Sequence, residues 1–176
     1  MLDMSIKTDI ETWFSVSQFY ALEAHLFDDW KFRDWIDLLD EEVFYWMPMI
    51  SNRIGREVGK EVGSIDHLSH YEEDKTSLSN RVKRLETGMA WAETPPGRTR
   101  HMVSNIVVEP GEEADTVNAK SAFLVWRSHL EVDQEMFAGK RLDVLRPCDV
   151  TGWKIKRREI IVDHATLTQK SMGIFF

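Results

Sequence analysis

The sequence predicts an α+β fold in which a curved, mainly antiparallel sheet wraps around amino-terminal helices, and three observations predict it. From Arg98 to His164 the chain reads as four long strands, as where Val117, Ala119, Ser121, Phe123 and Val125 alternate with Asn118, Lys120, Ala122, Leu124 and Trp126. A period of two is that of side chains on opposite faces of a strand. The connections between these runs are too short for a crossover helix, so neighbouring strands are antiparallel and form a meander. Ahead of them lie segments with apolar residues at helical spacing, which supply what one sheet face must bury.

In chain order, Thr8 to Asp28 reads as the first helix, with a Thr8/Glu11 capping box and Ile10, Trp13, Phe14, Ser17, Ala21, Ala24 and Phe27 as its inward stripe. Asp28 and Asp29 can cap a second helix over Lys31 to Asp40, where Phe32, Trp35, Ile36 and Leu39 follow i, i+3, i+4, i+7. Glu42 to Ile50 is β-branched and aromatic, a strand whose Pro48 cannot donate to a ladder and so belongs at an edge or a bulge. Ser51 to Ser64, with Gly55, Gly59 and Gly63 among charges, reads as an irregular surface arm and lacks the ending of a phosphate loop. Ser64 to Glu73 and Thr76 to Glu86 are shorter helical segments, and Met89 to Glu93 a short strand stopped by Pro95-Pro96-Gly97. Gly139 interrupts the third long run, Gln134 to Arg146, and predicts a bulge. Asp149 to Gly152 then turns the chain into the last run, Trp153 to Asp163. Trp13, Phe14, Trp35, Ile36, Phe123, Val125 and Ile161 are the predicted buried positions.

The 176 residues suit one domain, 1–176, able to bury a full core without cross-links. With 30 acidic against 22 basic side chains the net charge is -8, which argues against phosphate backbones and anionic lipid as partners. A lone Cys148 excludes an internal disulfide, and the first residues lack the apolar stretch of a secretory signal, so a cytoplasmic location is expected. Seven Trp, nine Phe and eight Met fit either a bulky core or a partner surface.

Three constellations could carry chemistry. Asp66, His67, His70 and Glu73 hold the residue types of a facial metal triad, but at i, i+3 and i+6 on a helix they drift around the cylinder, and a polar helix surface is the plainer reading. Tyr20, Glu23, His25, His101 and Asp163 are titratable groups that could face a cavity inside the sheet. A Tyr with a carboxyl in an apolar cone is the acid-base arrangement of ketosteroid isomerase, and the alternative is structural hydrogen bonding. Lys154, Lys156 and Arg158 would share one face of the last strand, with Arg157 on the other, as a solvated face or a subunit contact. A Rieske cluster is excluded, since it needs two Cys and two His.

Three segments carry a further signal: FYALEAHLFDDWKFRDWIDLLDEEVFYWMPM, WAETPPGRTRHMVSNIVVE, and FAGKRLDVLRP with WKIKRREIIVDHATL. Through them the chain resembles the small (β) subunits of Rieske-type aromatic-ring-hydroxylating dioxygenases of the biphenyl and polycyclic-aromatic group, over nearly its whole length. The resemblance implies a cone-shaped fold similar to nuclear transport factor 2 (NTF2). It implies a structural subunit with no cofactor of its own, in an α3β3 assembly whose large subunit holds the Rieske [2Fe-2S] cluster and a mononuclear Fe(II). The implied system adds both atoms of O₂ to an arene, giving a cis-dihydrodiol, with electrons from NAD(P)H through a reductase and a ferredoxin. No catalytic, cofactor-binding or metal residue is then expected here. Trp91, Arg98, Arg100, Phe175 and Phe176 are the candidate subunit contacts. Two other readings stand beside it: a stand-alone lyase or isomerase of the same cone, using a Tyr or His with a carboxylate, and a small-ligand binding protein.

Overall fold

The computed structural model describes residues 8–50, 62–63, 69–87, 95–130, 133–164 and 175–176. The surface arm apart from Val62 and Gly63, the Met89 to Glu93 strand, Asp66, His67 and Trp91 lie outside them.

Helix α1 spans Ile10–Asp28, and its cap is Asp9 rather than Thr8: the Asp9 carboxylate accepts the Thr12 N–H at 2.8 Å. The helix is apolar on nearly all sides, and the side it buries is Val16, Phe19, Tyr20, Glu23, Leu26 and Phe27. This corrects the predicted stripe. Trp13 and Phe14 stay 37% and 58% exposed, because the buried stripe runs through Glu23, a charge that periodicity alone rejects. Helix α2 is a single turn, Phe32–Ile36, and not the predicted ten residues. The chain leaves it early because Leu39 already starts strand β1, Leu39–Pro48, and pairs with the last strand. Trp35 is fully buried and Ile36 half-buried.

Strand β2, Ser69–Glu73, pairs antiparallel with β1, and the register shifts between Met47 and Pro48, so Pro48 sits at a bulge. A helix over this stretch is thus corrected. With only Tyr71 buried, the segment has no helical apolar face, and pairing with β1 satisfies its backbone instead. Helix α3, Lys75–Glu86, is capped by Asp74 and buries Leu78 and Val82.

The predicted meander is present as β3 (Arg98–Pro110), β4 (Val117–His129), β5 (Asp133–Cys148) and β6 (Gly152–Val162). The six strands form one curved sheet in the order β2-β1-β6-β5-β4-β3, antiparallel throughout except where β1 runs parallel to β6. Gly139 is not a bulge, since β4 and β5 pair without interruption past it. A Cβ at Gly139 would collide with the Ile161 carbonyl and lie 2.8 Å from Phe123 Cζ, so glycine is there to let β6 and an aromatic ring come close. Within the meander the bulges fall elsewhere. One lies between Ser104 and Val107, where Asn105 takes a φ of 53°. The other sits in β6: Val144 faces Arg157 and Leu145 faces Ile155, which leaves Lys156 as the extra residue. That insertion changes which face each later residue occupies. Trp153 and Ile155 point inward, and after Lys156 so do Arg158, Ile160 and Val162.

Phe123, Val125 and Ile161 are buried as predicted. Phe175 packs against Trp35 with ring centroids 4.6 Å apart, and Phe176 against Phe123 and Phe137 at 5.4 and 5.5 Å.

Candidate functional site

The inner face of the sheet brings together four fully or almost fully buried charges. Arg158, on the far side of the β6 bulge, reaches Glu23 of α1 with Nη1 at 2.6 Å and Nη2 at 3.0 Å. The same guanidinium holds Asp143 of β5 through Nε at 3.0 Å and Nη2 at 2.7 Å. Arg141 donates to Glu23 at 2.9 Å and stacks over the Tyr20 ring at 4.7 Å. Tyr20 Oη donates to Asp143 at 2.8 Å, and Trp35 Nε1 donates to Glu23 at 3.0 Å. Two guanidiniums therefore balance two carboxylates, which is the condition under which charge can be buried. The carbonyl of Phe176 closes the cluster, accepting from Arg158 at 3.0 Å and from Tyr45 at 2.9 Å.

Electrostatics pushes these groups away from proton transfer. Burial alone would raise Glu23, but the Arg158 and Arg141 guanidiniums outweigh it and hold the carboxyl below its usual range. Burial first, then the Asp143 carboxylate, lifts Tyr20 well above an ordinary phenol. General acid-base catalysis needs a group that titrates near the working pH, and these two are displaced in opposite directions from it. Their oxygens are also taken up by neighbours, so the cluster holds protons where they are.

The other titratable candidates do not join it. His25 and Asp163 are exposed. His101 sits beside Asp28: its Nδ1 lies 2.7 Å from the carboxylate, its backbone N–H donates to the same group, and its Nε2 lies 3.1 Å from the Phe175 carbonyl. Burial pushes Asp28 up, and the hydrogen bonds from His101 more than offset it, so the carboxyl lies below its usual value. His101 borders a half-open hollow of about 220 Å³ walled by Phe27, Trp30, Phe32, Leu85 and Phe175. Both ring nitrogens already have partners, so His101 fixes α1 to β3 rather than facing a substrate.

His70 and Glu73 lie three residues apart on a strand, which sends them to opposite faces, and Glu73 is engaged by Arg81. Among the described residues no group of three or more His, Cys, Asp or Glu side chains could hold a metal ion. The predicted shared face of Lys154, Lys156 and Arg158 is corrected by the β6 bulge. Lys156 pairs with Glu113, Arg157 lies over the Phe44 ring at 5.2 Å, and only Arg158 turns inward. Among the candidate contacts, Arg98 and Arg100 are exposed on the outer face of β3. The rings of Phe175 and Phe176 face the chain's own core and are absent from its surface. No helix among the described residues is long and apolar enough to cross a membrane.

What sequence reading missed is Glu23, Arg141, Asp143 and Arg158 as one unit. The available signal was charge on inward positions: Arg127, Arg141 and Asp143 all share the phase of Phe123 and Phe137 across β4 and β5.

Known proteins similar to this chain agree with one another. Residues 22–169 match the family model described as ring hydroxylating beta subunit. The beta subunit of biphenyl 2,3-dioxygenase from Rhodococcus jostii is 33% identical over 176 residues, covering 99% of this chain and 91% of that one. The beta subunit of 3-phenylpropionate/cinnamic acid dioxygenase from Photorhabdus laumondii is 40% identical over 167 residues, covering 94% and 92%. A solved structure of naphthalene 1,2-dioxygenase with indole bound in its active site superposes with a TM-score of 0.84 at 18% identity, covering 96% of this chain and 88% of that one, a likeness of fold. Matched over most of its length and built on the same curved sheet, the chain belongs to the ring-hydroxylating dioxygenase beta-subunit family.

Proposed function

We propose that this chain, as a single NTF2-like domain over 1–176, is the non-catalytic assembly subunit of a cytoplasmic aromatic-ring dioxygenase. Its partner is a large subunit carrying a Rieske [2Fe-2S] cluster and a mononuclear Fe(II), in an α3β3 complex. The complex converts arenes to cis-dihydrodiols with O₂ and electrons relayed from NAD(P)H by a reductase and a ferredoxin. The observation that carries this reading is the chain-wide membership of the beta-subunit family. The inner cluster supports it, because Tyr20 and Glu23, the side chains best placed for acid-base work in the cone, are fixed by Asp143, Arg141 and Arg158. The iron chemistry would belong to the partner, and this chain's part is to hold that partner in place.

The test is co-expression with the large subunit. The complex should have the native mass of three copies of each chain and should oxidise an arene, whereas the isolated chain should bind no stoichiometric iron and oxidise nothing. Iron bound by this chain alone, or arene oxidation without the large subunit, would overturn the reading.

A further inference from the structure

The sheet has a second face, and its chemistry is the reverse of the first. Arg100, Trp126 and Met136 stand side by side across β3, β4 and β5, and in the next row Met102 lies beside Leu124. Two rows further along, Val107 lies beside Lys120. Met102, Val107, Trp126 and Met136 are all large apolar side chains left between 38% and 57% exposed. Cations stand among and around them: Arg98 and Arg100 on β3 at one end, Lys140 on β5 in the row of Ser104 and Ala122, and Lys120 on β4 one row beyond it. On β3, β4 and β5, from the Arg98 row to the Lys120 row, no outward position carries Asp or Glu, and the first on these strands is Glu109; at the margin of the patch Glu159 of β6 stands beside Leu142 in the Lys120 row. Arg100 leans on Asp28 at 3.2 Å and Lys120 on Glu109 at 3.9 Å, but Arg98 and Lys140 have no carboxylate partner among the described residues. A cationic patch of this kind stands out on a chain whose net charge is -8.

An aromatic and two methionines at the centre with arginine and lysine around them is the anatomy of a specific protein interface, and arginine and tryptophan are the side chains that most often dominate binding energy. We infer that this outer face of β3-β4-β5 is where the large subunit docks, through an apolar surface edged with carboxylates. The inference rests on the functional reading above and adds where the partner binds and what chemistry it presents. Charge chooses the occupant. The same face of a second copy would set Arg98, Arg100, Lys120 and Lys140 against one another, and like charges brought together are repelled. A carboxylate-edged partner satisfies Arg98 and Lys140, and Arg98 can do so bidentately.

The test uses the assembled complex. In wild type, oxidative footprinting should find Met102, Met136 and Trp126 reactive in the free chain and at least several-fold slower once the large subunit is bound. The double charge reversal Arg98→Glu with Lys140→Glu should weaken association with the large subunit at least tenfold and flatten its dependence on salt. Arg98→Lys with Lys140→Arg should keep most of the affinity. Unchanged footprints overturn the inference and leave the functional reading intact, as does unaltered affinity in a charge-reversed chain with wild-type melting. If protection appears instead when the chain associates with itself, the face belongs to a second copy and the inference is overturned. Failure of the wild-type chain to bind the large subunit at all would overturn both readings.

Discussion

The two faces of this sheet use the same residue types to opposite ends. On the inner face Arg141 and Arg158 are almost wholly buried and held by carboxylates at hydrogen-bonding distance. On the outer face Arg98 and Arg100 stand in solvent, and the one ion pair of Arg100 leaves its side chain 64% exposed. An inward arginine that loses its partners leaves charge stranded in a low dielectric, whereas an outward one exchanges a weak contact for water. The inner charges therefore belong to folding and the outer ones are free for binding.

The sharpest way to break that comparison is Arg158→Met, which keeps the bulk and removes the charge between Glu23 and Asp143. It should cost about 3 to 5 kcal/mol of stability in a denaturant titration, the scale for stranding buried charge. A loss below about 1 kcal/mol would make the inner cluster no more structural than the outer face. Gly139→Ala tests the inner face by volume rather than charge: its Cβ meets the Ile161 carbonyl and the Phe123 ring, and overpacking of this sort costs about 1 to 3 kcal/mol.

Acid should sharpen the contrast. Glu23 is held below its ordinary value of 4.5 in the folded chain, so its contribution is complete above that pH and is lost as the pH falls through it toward the lower folded value. Stability should drop as the pH falls below about 4.5, and the drop should shrink in Glu23→Gln, as followed by unfolding at successive pH values. The smallest effect belongs outside. Replacing Arg98 and Arg100 together by Ala should shift stability by no more than about 0.5 kcal/mol, with unchanged circular dichroism, while shortening the lifetime of the complex with the large subunit.

Much of the fold is written in local pattern. Strand β4 keeps strict alternation from Ala119 to Arg127 with an unbroken register on β5, and there the period of two predicts both faces correctly. Strand β6 begins in the same way, yet one inserted residue at Lys156 turns Arg158 inward, and nothing in the identities of Lys154 to Arg158 marks which residue is extra. Glu23 was legible as a candidate for the interior, but its partners were not, for a related reason. A carboxylate on the inward stripe of α1 becomes acceptable only when Arg141 and Arg158 arrive from strands far along the chain, and a window of one helix cannot see them. The shortness of α2 also depends on distance, because Leu39 pairs with Ile155 of β6. Arg98 and Arg100 were legible as candidate contacts, but the apolar patch beside them required the register of three strands.

The parallel pairing of β1 with β6 carries a consequence for how the protein is made. Trp46 aligns with Glu159, so a strand from the first third of the chain has its neighbour in the last. Contacts this distant in sequence close late, since the entropy of the intervening loop is spent before they contribute. On a ribosome adding roughly 5 to 20 residues each second, Val43, Tyr45 and Met47 would wait on the order of 5 to 20 s for the strand that covers them. Glu23 waits somewhat longer for Arg158, which lies 135 residues on. During that interval the nascent chain presents an apolar strand and an uncompensated carboxylate, and the length of its exposure is set by the pace of translation rather than by anything encoded in α1 or β1.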